Sequence, residues 1–142
     1  MSTYYLNEAV IDLPERPFVD KTIHGLESKL PGDKTLGVLV HRRPVEGERS
    51  LHALVAENVA LNQKRLMAFK VLDEAEGSVG GVPGILLRTS WHNERATYYQ
   101  LQAHVVFDGK VMIFAVSGPI EEQAACDETF QSILQTITWR TE

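Results

Sequence analysis

Cysteine is nearly absent from this sequence. Cys126 stands alone, so no disulfide can close within the chain, and a cysteine-based zinc site would be short of ligands. Basic residues are also scarce. Fourteen Lys and Arg stand against nineteen Asp and Glu, a net charge of −5, so the basic face that displaces counterions from nucleic acid is missing. Long apolar runs are missing too. The longest, Val111 to Val116, is about a third of the roughly 20 residues a spanning helix requires. The opening residues show no basic stretch followed by an apolar one, so no signal peptide is expected. The expected location is the cytoplasm, with the protein not itself inserted in a membrane.

Chemical motifs are equally sparse. The five histidines, His24, His41, His52, His92 and His104, form neither His-x-x-x-His nor His-Glu-x-x-His. The serines lack a Gly-x-Ser-x-Gly elbow. The segment Gly77 to Gly84 lacks the Gly-Lys-Ser/Thr ending of a phosphate loop and reads as a tight connection between strands. Cys126 falls in an amphipathic helix and reads as a small packing residue. His41-Arg42-Arg43 reads as a solvated loop end. These absences point away from an enzyme, with no catalytic residue, cofactor or metal expected.

A core is what the sequence does have. Hydrophobic residues make up 44% of 142, enough for one folded domain spanning 1–142, with no repeat or linker to divide it. Strands are expected over 4–13, 21–26, 35–41, 69–75, 85–91, 96–107 and 110–117. Ser50 is a candidate cap for a helix over 51–67, and Pro119 opens a second helix with Glu121 and Glu122 in its first turn. Asn58 and Asn62 fall on the apolar arc of the first helix and are placed at its edge, meeting water, with a polar role at a binding surface as the alternative. The expected fold is therefore α+β: a mainly antiparallel, twisted sheet of about seven strands with two main helices.

Asp108-Gly109 is the strongest hairpin signal in the chain. As a two-residue turn it sets Phe107 opposite Lys110, Val105 opposite Met112, Ala103 opposite Phe114 and Leu101 opposite Val116. Opposed residues share a face, and this one is apolar almost throughout, so it is expected beneath the helices. The other face carries Gln102, His104, Val106, Val111, Ile113 and Ala115, continued by Tyr98 and Gln100. A solvated face would alternate to charged residues, yet the last strand has none here. A second helix layer, a dimer interface or a groove for an apolar partner would each cover it.

Three stretches carry a family resemblance: Tyr-Leu-Asn-Glu-Ala-Val-Ile-Asp-Leu-Pro at 5–14, Val-Gly-Gly-Val-Pro-Gly at 79–84 and Phe-Gln-Ser-Ile-Leu at 130–134. Together they resemble DcrB-related proteins of the PsbP/Mog1-like fold, over residues 4 to 139. Small members include the Eag-type chaperones of bacterial type VI secretion. The resemblance implies a homodimer that binds N-terminal transmembrane segments of Rhs- or PAAR-containing effectors, shields them from water and helps load them on the secretion spike. The surface suited to that role comprises Gln102, His104, Val111, Ile113, Ala115 and Tyr98. Leu66 is assigned to its rim, and Ile23 and Leu39 lie on strands able to join it. Two rivals remain: a Mog1-like regulatory module for a soluble protein partner, and a small-ligand binder or hydrolase with a pocket at His104.

Overall fold

The computed structural model describes residues 2–5, 8–18, 21–45 and 47–140. Its architecture is α+β, as expected, with the strands divided differently. The stretch read as one strand over 4–13 is instead two, β1 (Ser2–Tyr5) and β2 (Val10–Leu13), which pair antiparallel as a small separate sheet with Tyr4 opposite Ile11. Leu6 and Asn7, between them, lie outside the described residues.

The main sheet has six strands: β3 (Ile23–Leu30), β4 (Lys34–Pro44), β5 (Met67–Val79), β6 (Val82–His92), β7 (Thr97–Phe107) and β8 (Lys110–Pro119). Their spatial order is β3-β4-β8-β7-β6-β5, and every neighbouring pair is antiparallel. Two tight turns fix most of this. Asp108 and Gly109 take φ of 52° and 71°, both left-handed, the requirement of a type I′ hairpin. The four cross-strand pairs expected from that turn are all present. Gly80 and Gly81, at φ of 58° and 84°, make the equivalent turn between β5 and β6, so the glycine-rich segment is a strand connection.

Helix α1 (Leu51–Arg65) begins where Ser50 Oγ accepts from the Ala53 N–H at 3.1 Å. Helix α2 (Gln123–Thr136) follows a short 3₁₀ turn over Ile120–Glu122. The two helices take opposite faces. Cys126 and Phe130 of α2 pack on Val79, Tyr99, Leu101, Ala103, Val105, Phe114 and Val116, the face expected beneath both helices. Val55 of α1 packs on Ile85 and Leu87, flanked by Leu51 and Val59. Ile85 lies opposite His104 and Leu87 opposite Gln102, so α1 sits on the face assigned to a partner. Of the three covers open to that face, the structure supplies a helix layer over part of it, and α1 does not join α2 on the Leu101–Val116 face. A sheet with apolar residues on both sides of β7 and β8 gains from burying both, and one helix per face does so.

Tyr99 ties α2 to the sheet, donating from its hydroxyl to Asp127 Oδ1 at 2.6 Å. Burial, and then the bond to Asp127, push its phenol up to about 12, so it remains a donor. Cys126 is fully buried and its thiol is pushed up to about 11, chiefly by burial, consistent with packing alone. His41, Arg42 and Arg43 lie within β4 rather than in a loop, because that strand runs on to Pro44, paired with Lys110 at the start of β8.

The chain after α2 is clamped by Trp139. Its indole donates to Val79 O at 2.9 Å, stacks on Phe107 with centroids 4.3 Å apart and meets Phe114 edge-on. Gly80 makes room for it: a Cβ there would lie 2.7 Å from Trp139 Nε1 and 3.1 Å from Ile137 Cγ2. Gly80→Ala is therefore expected to destabilise the fold by about 1–3 kcal/mol, through left-handed strain and displacement of the ring. A lower melting temperature together with red-shifted tryptophan emission would report it. An unchanged melt would show that the clamp contributes nothing.

Candidate functional site

The register of the sheet decides which sequence-assigned residues meet. In one row across the strands stand Ile23, His41, Ile113, His104 and Ile85. The next row reads Gly25, Leu39, Ala115, Gln102 and Leu87, and the one after it Glu27, Gly37, Ser117, Gln100 and Thr89. Ile23 and Leu39 thus join the face of Ile113 and Ala115, an arrangement that required the pairing of β4 with β8. Tyr98 lies two residues beyond Gln100 on the same face, half-buried and stacked on Trp91 with centroids 5.7 Å apart. Leu66 is not on the sheet. It caps α1, its N–H donating to Asn62 O at 2.8 Å, and is half-buried there.

These residues divide into a covered set and an open set. Six strands span roughly 24–29 Å, and a helix with its side chains is about 10 Å wide, so α1 cannot roof the whole face. It lies on β5, β6 and β7. Gln102 is 4% exposed and His104 1%. Val111 and Ala115 are buried as well. Ala115 is a short side chain between the longer Leu39 and Gln102, and Val111 lies between Arg43 and Val106. An open groove containing all of them is therefore corrected: those four belong to the interior. Outside α1 remain Ile23, 57% exposed, with Leu39 and Ile113 half-buried. Gly25 lies opposite Leu39 in its own row, and Gly37 stands in the next. Only one side-chain atom lies within 4 Å of where each Cβ would be, at 3.5 Å for Gly25 and 3.6 Å for Gly37. The surface there is shallow and open to close approach.

The covered set forms a hydrogen-bonded ladder along β7. His104 Nε2 lies 2.8 Å from Gln102 Oε1, and Gln102 Nε2 donates to Gln100 Oε1 at 2.6 Å. Burial, then the charge of Arg43, lowers the His104 imidazole to about 4, so it is neutral at physiological pH. An amide oxygen only accepts, so Nε2 carries the proton and Nδ1 is left as an acceptor. Burial and Arg43 also depress the pKa of His41. On α1, Asn58 and Asn62 lie along the stripe of Leu54 and Val55, half-buried, with Asn62 Nδ2 donating to Asn58 Oδ1 at 3.1 Å. They lie inside the apolar arc, not at its edge, and satisfy part of their polarity with each other.

Among the described residues, no group of three His, Cys, Asp or Glu side chains is placed to hold a metal ion, and no helix is long and apolar enough to cross a membrane. What the site offers is an uncharged surface of branched and small residues on a sheet half left bare by its helix. Fold and site together define an α+β domain whose sheet has one helix on each face.

The DcrB family model matches residues 8–136, and the chain belongs to that family. Among solved structures it is similar to PA94 from Pseudomonas aeruginosa, a protein of unknown function proposed to be a regulator. The TM-score is 0.81 at 20% identity, covering 100% of this chain and 99% of that one. It is also similar to LpqN of Mycobacterium tuberculosis, involved in cell envelope biogenesis, with a TM-score of 0.60 at 15% identity over 88% and 84% of the two chains. No curated protein matches it.

Proposed function

We propose that this protein is a cytoplasmic chaperone or adaptor, acting without turnover or cofactor. It holds the N-terminal transmembrane segments of a type VI secretion effector of the Rhs or PAAR type and aids loading of that effector on the secretion spike. The observation that carries the reading is the apolar surface outside α1, where Ile23, Leu39 and Ile113 stand in two adjoining rows with Gly25 beside Leu39. A transmembrane helix in water exposes a broad apolar face and packs closely where small residues let backbones approach. Isoleucine and leucine supply apolar contact here, and the glycines supply depth. A homodimer would bring two such surfaces to one bundle of segments. The alternative is a Mog1-like regulatory module for a soluble partner, and the regulator role proposed for PA94, which shares the fold, favours it as the second reading.

The experiment is co-expression with a tagged effector fragment carrying its transmembrane helices, with wild type, Ile23→Asp and Leu39→Asp compared. Ile23 is exposed, so its replacement is expected to change stability by no more than about 0.5 kcal/mol. A carboxylate buried unpaired against a transmembrane helix should weaken the complex roughly hundredfold. A soluble complex lost in Ile23→Asp, with unchanged circular dichroism, supports the chaperone reading. A fragment that precipitates while this protein stays free, or a complex indifferent to Ile23→Asp, defeats it.

A further inference from the structure

The α2 face has a vacancy of its own, and it is independent of what the α1 face holds. Helix α2 lies on β7 and β8, so one helix width of sheet is bare on the side of β3 and β4. A groove of about 410 Å³ occupies that position, floored by Leu30, Leu36 and Val38 and walled by Ala125 of α2. Its outer wall is Leu26, on edge strand β3 and 67% exposed, a large apolar side chain left in water.

Charge distinguishes this groove from the uncharged rows on the other side. From Ile120 to Trp139 the chain has Glu121, Glu122, Asp127 and Glu128 and not one Lys or Arg. Glu121 and Glu122 precede Ala125 by about one helical turn, and Glu128 lines the groove itself, so these three stand along the same flank of the helix. Lys34 neutralises Glu122 at 3.5 Å, while Asp127 is engaged by Tyr99 on the opposite flank. Glu27 borders the groove only with its backbone, its side chain turning to the other face of the sheet. An apolar floor with one acidic margin, along α2, complements a helix whose apolar stripe is bordered on one side by basic residues.

We infer that the groove between α2 and β3 docks a basic amphipathic helix of a partner protein, lying beside α2 as a second helix on that face. The apolar stripe fills the space over Leu36 and Val38, and its Lys or Arg border meets Glu121 and Glu128.

The test uses the full chain and a labelled helical peptide of about 18 residues, roughly five turns, with a leucine stripe bordered by lysines. A second peptide has glutamates in place of the lysines. Fluorescence anisotropy should show binding of the lysine peptide only, weakened about tenfold by Leu26→Asn and about tenfold by Glu121→Lys with Glu128→Lys. Affinity should also fall as salt rises from about 50 to 300 mM. Binding of the glutamate peptide, or lysine-peptide binding indifferent to both variants, overturns the inference. So does concentration-dependent self-association abolished by Leu26→Asn, which would assign the groove to a second copy. Leu26 and the two glutamates are solvent-facing, so all these variants are expected to fold.

Discussion

Between pH 6.5 and about 4 this protein is expected to lose roughly 3 kcal/mol of stability, and replacing His104 should remove most of that loss. The sign follows from the two states. An unfolded histidine takes up its proton near 6.5, whereas the folded one, buried on the α1 face and facing the charge of Arg43, resists until about 4. In that interval the unfolded chain binds more protons, so stability is complete above 6.5 and falls as pH drops through the folded value. His41, depressed by the same causes, adds in the same direction. Carboxylates act lower: Glu57, held down by its bond to Arg49, gives up its contribution only below its ordinary 4.5. His104→Gln keeps an N–H for Gln102 Oε1 but cannot titrate. Urea midpoints measured across the window should slope steeply for the parent and be nearly flat for His104→Gln. Parallel slopes would show that the imidazole is not the group being protonated.

The ladder that makes His104 sensitive was legible in part. Its residues alternate along one strand, and the two-residue Asp108-Gly109 turn fixed their opposite numbers on β8, because turn geometry is local and both left-handed positions are satisfied by those residue types. What lay beneath α1 was not legible. Apolar residues on both faces of β8 called for cover on both, but periodicity does not say which helix lies on which side. That depends on the path from β4, second in the sheet, to β5 at its far edge, which carries α1 across the face of Gln102. The positions of Ile23 and Leu39 were hidden for a related reason. Their rows reach Ile113 and Ala115 because residues near 38 pair with residues near 116, a contact with no local signature. The strand read over 4–13 failed differently: Val10, Ile11 and Leu13 retained the composition of a continuing strand, although they turn back to pair with Ser2–Tyr5. Asn58 and Asn62 were placed at a wet edge because a helix arc drawn from sequence gives no weight to two amides that satisfy each other.

Val111→Asp is expected to destabilise the fold by about 4 kcal/mol or more, lowering the melting temperature by roughly 10 °C or yielding insoluble protein. Val111 was assigned to the binding face, and its side chain does point to that side of the sheet, but it is 2% exposed between Arg43 and Val106. A carboxylate there exchanges water for methyl groups, and Arg43 is exposed enough to remain hydrated without turning inward. The contrast with Ile23→Asp on the same face is the informative part. One aspartate is expected to unfold the protein and the other to leave it folded and unable to hold an apolar helix, a difference set by where the α1 layer and the longer row neighbours stop. Thermal melts of the two variants, measured beside their pulldown of the effector fragment, check this directly. If Val111→Asp melts like the parent, the region around Val111 opens readily, and the binding surface extends along β8 from Ile113 to Val111, as the hairpin pattern first indicated. If both variants unfold, the rows outside α1 belong to the core, and the docking surface must be sought elsewhere on the fold.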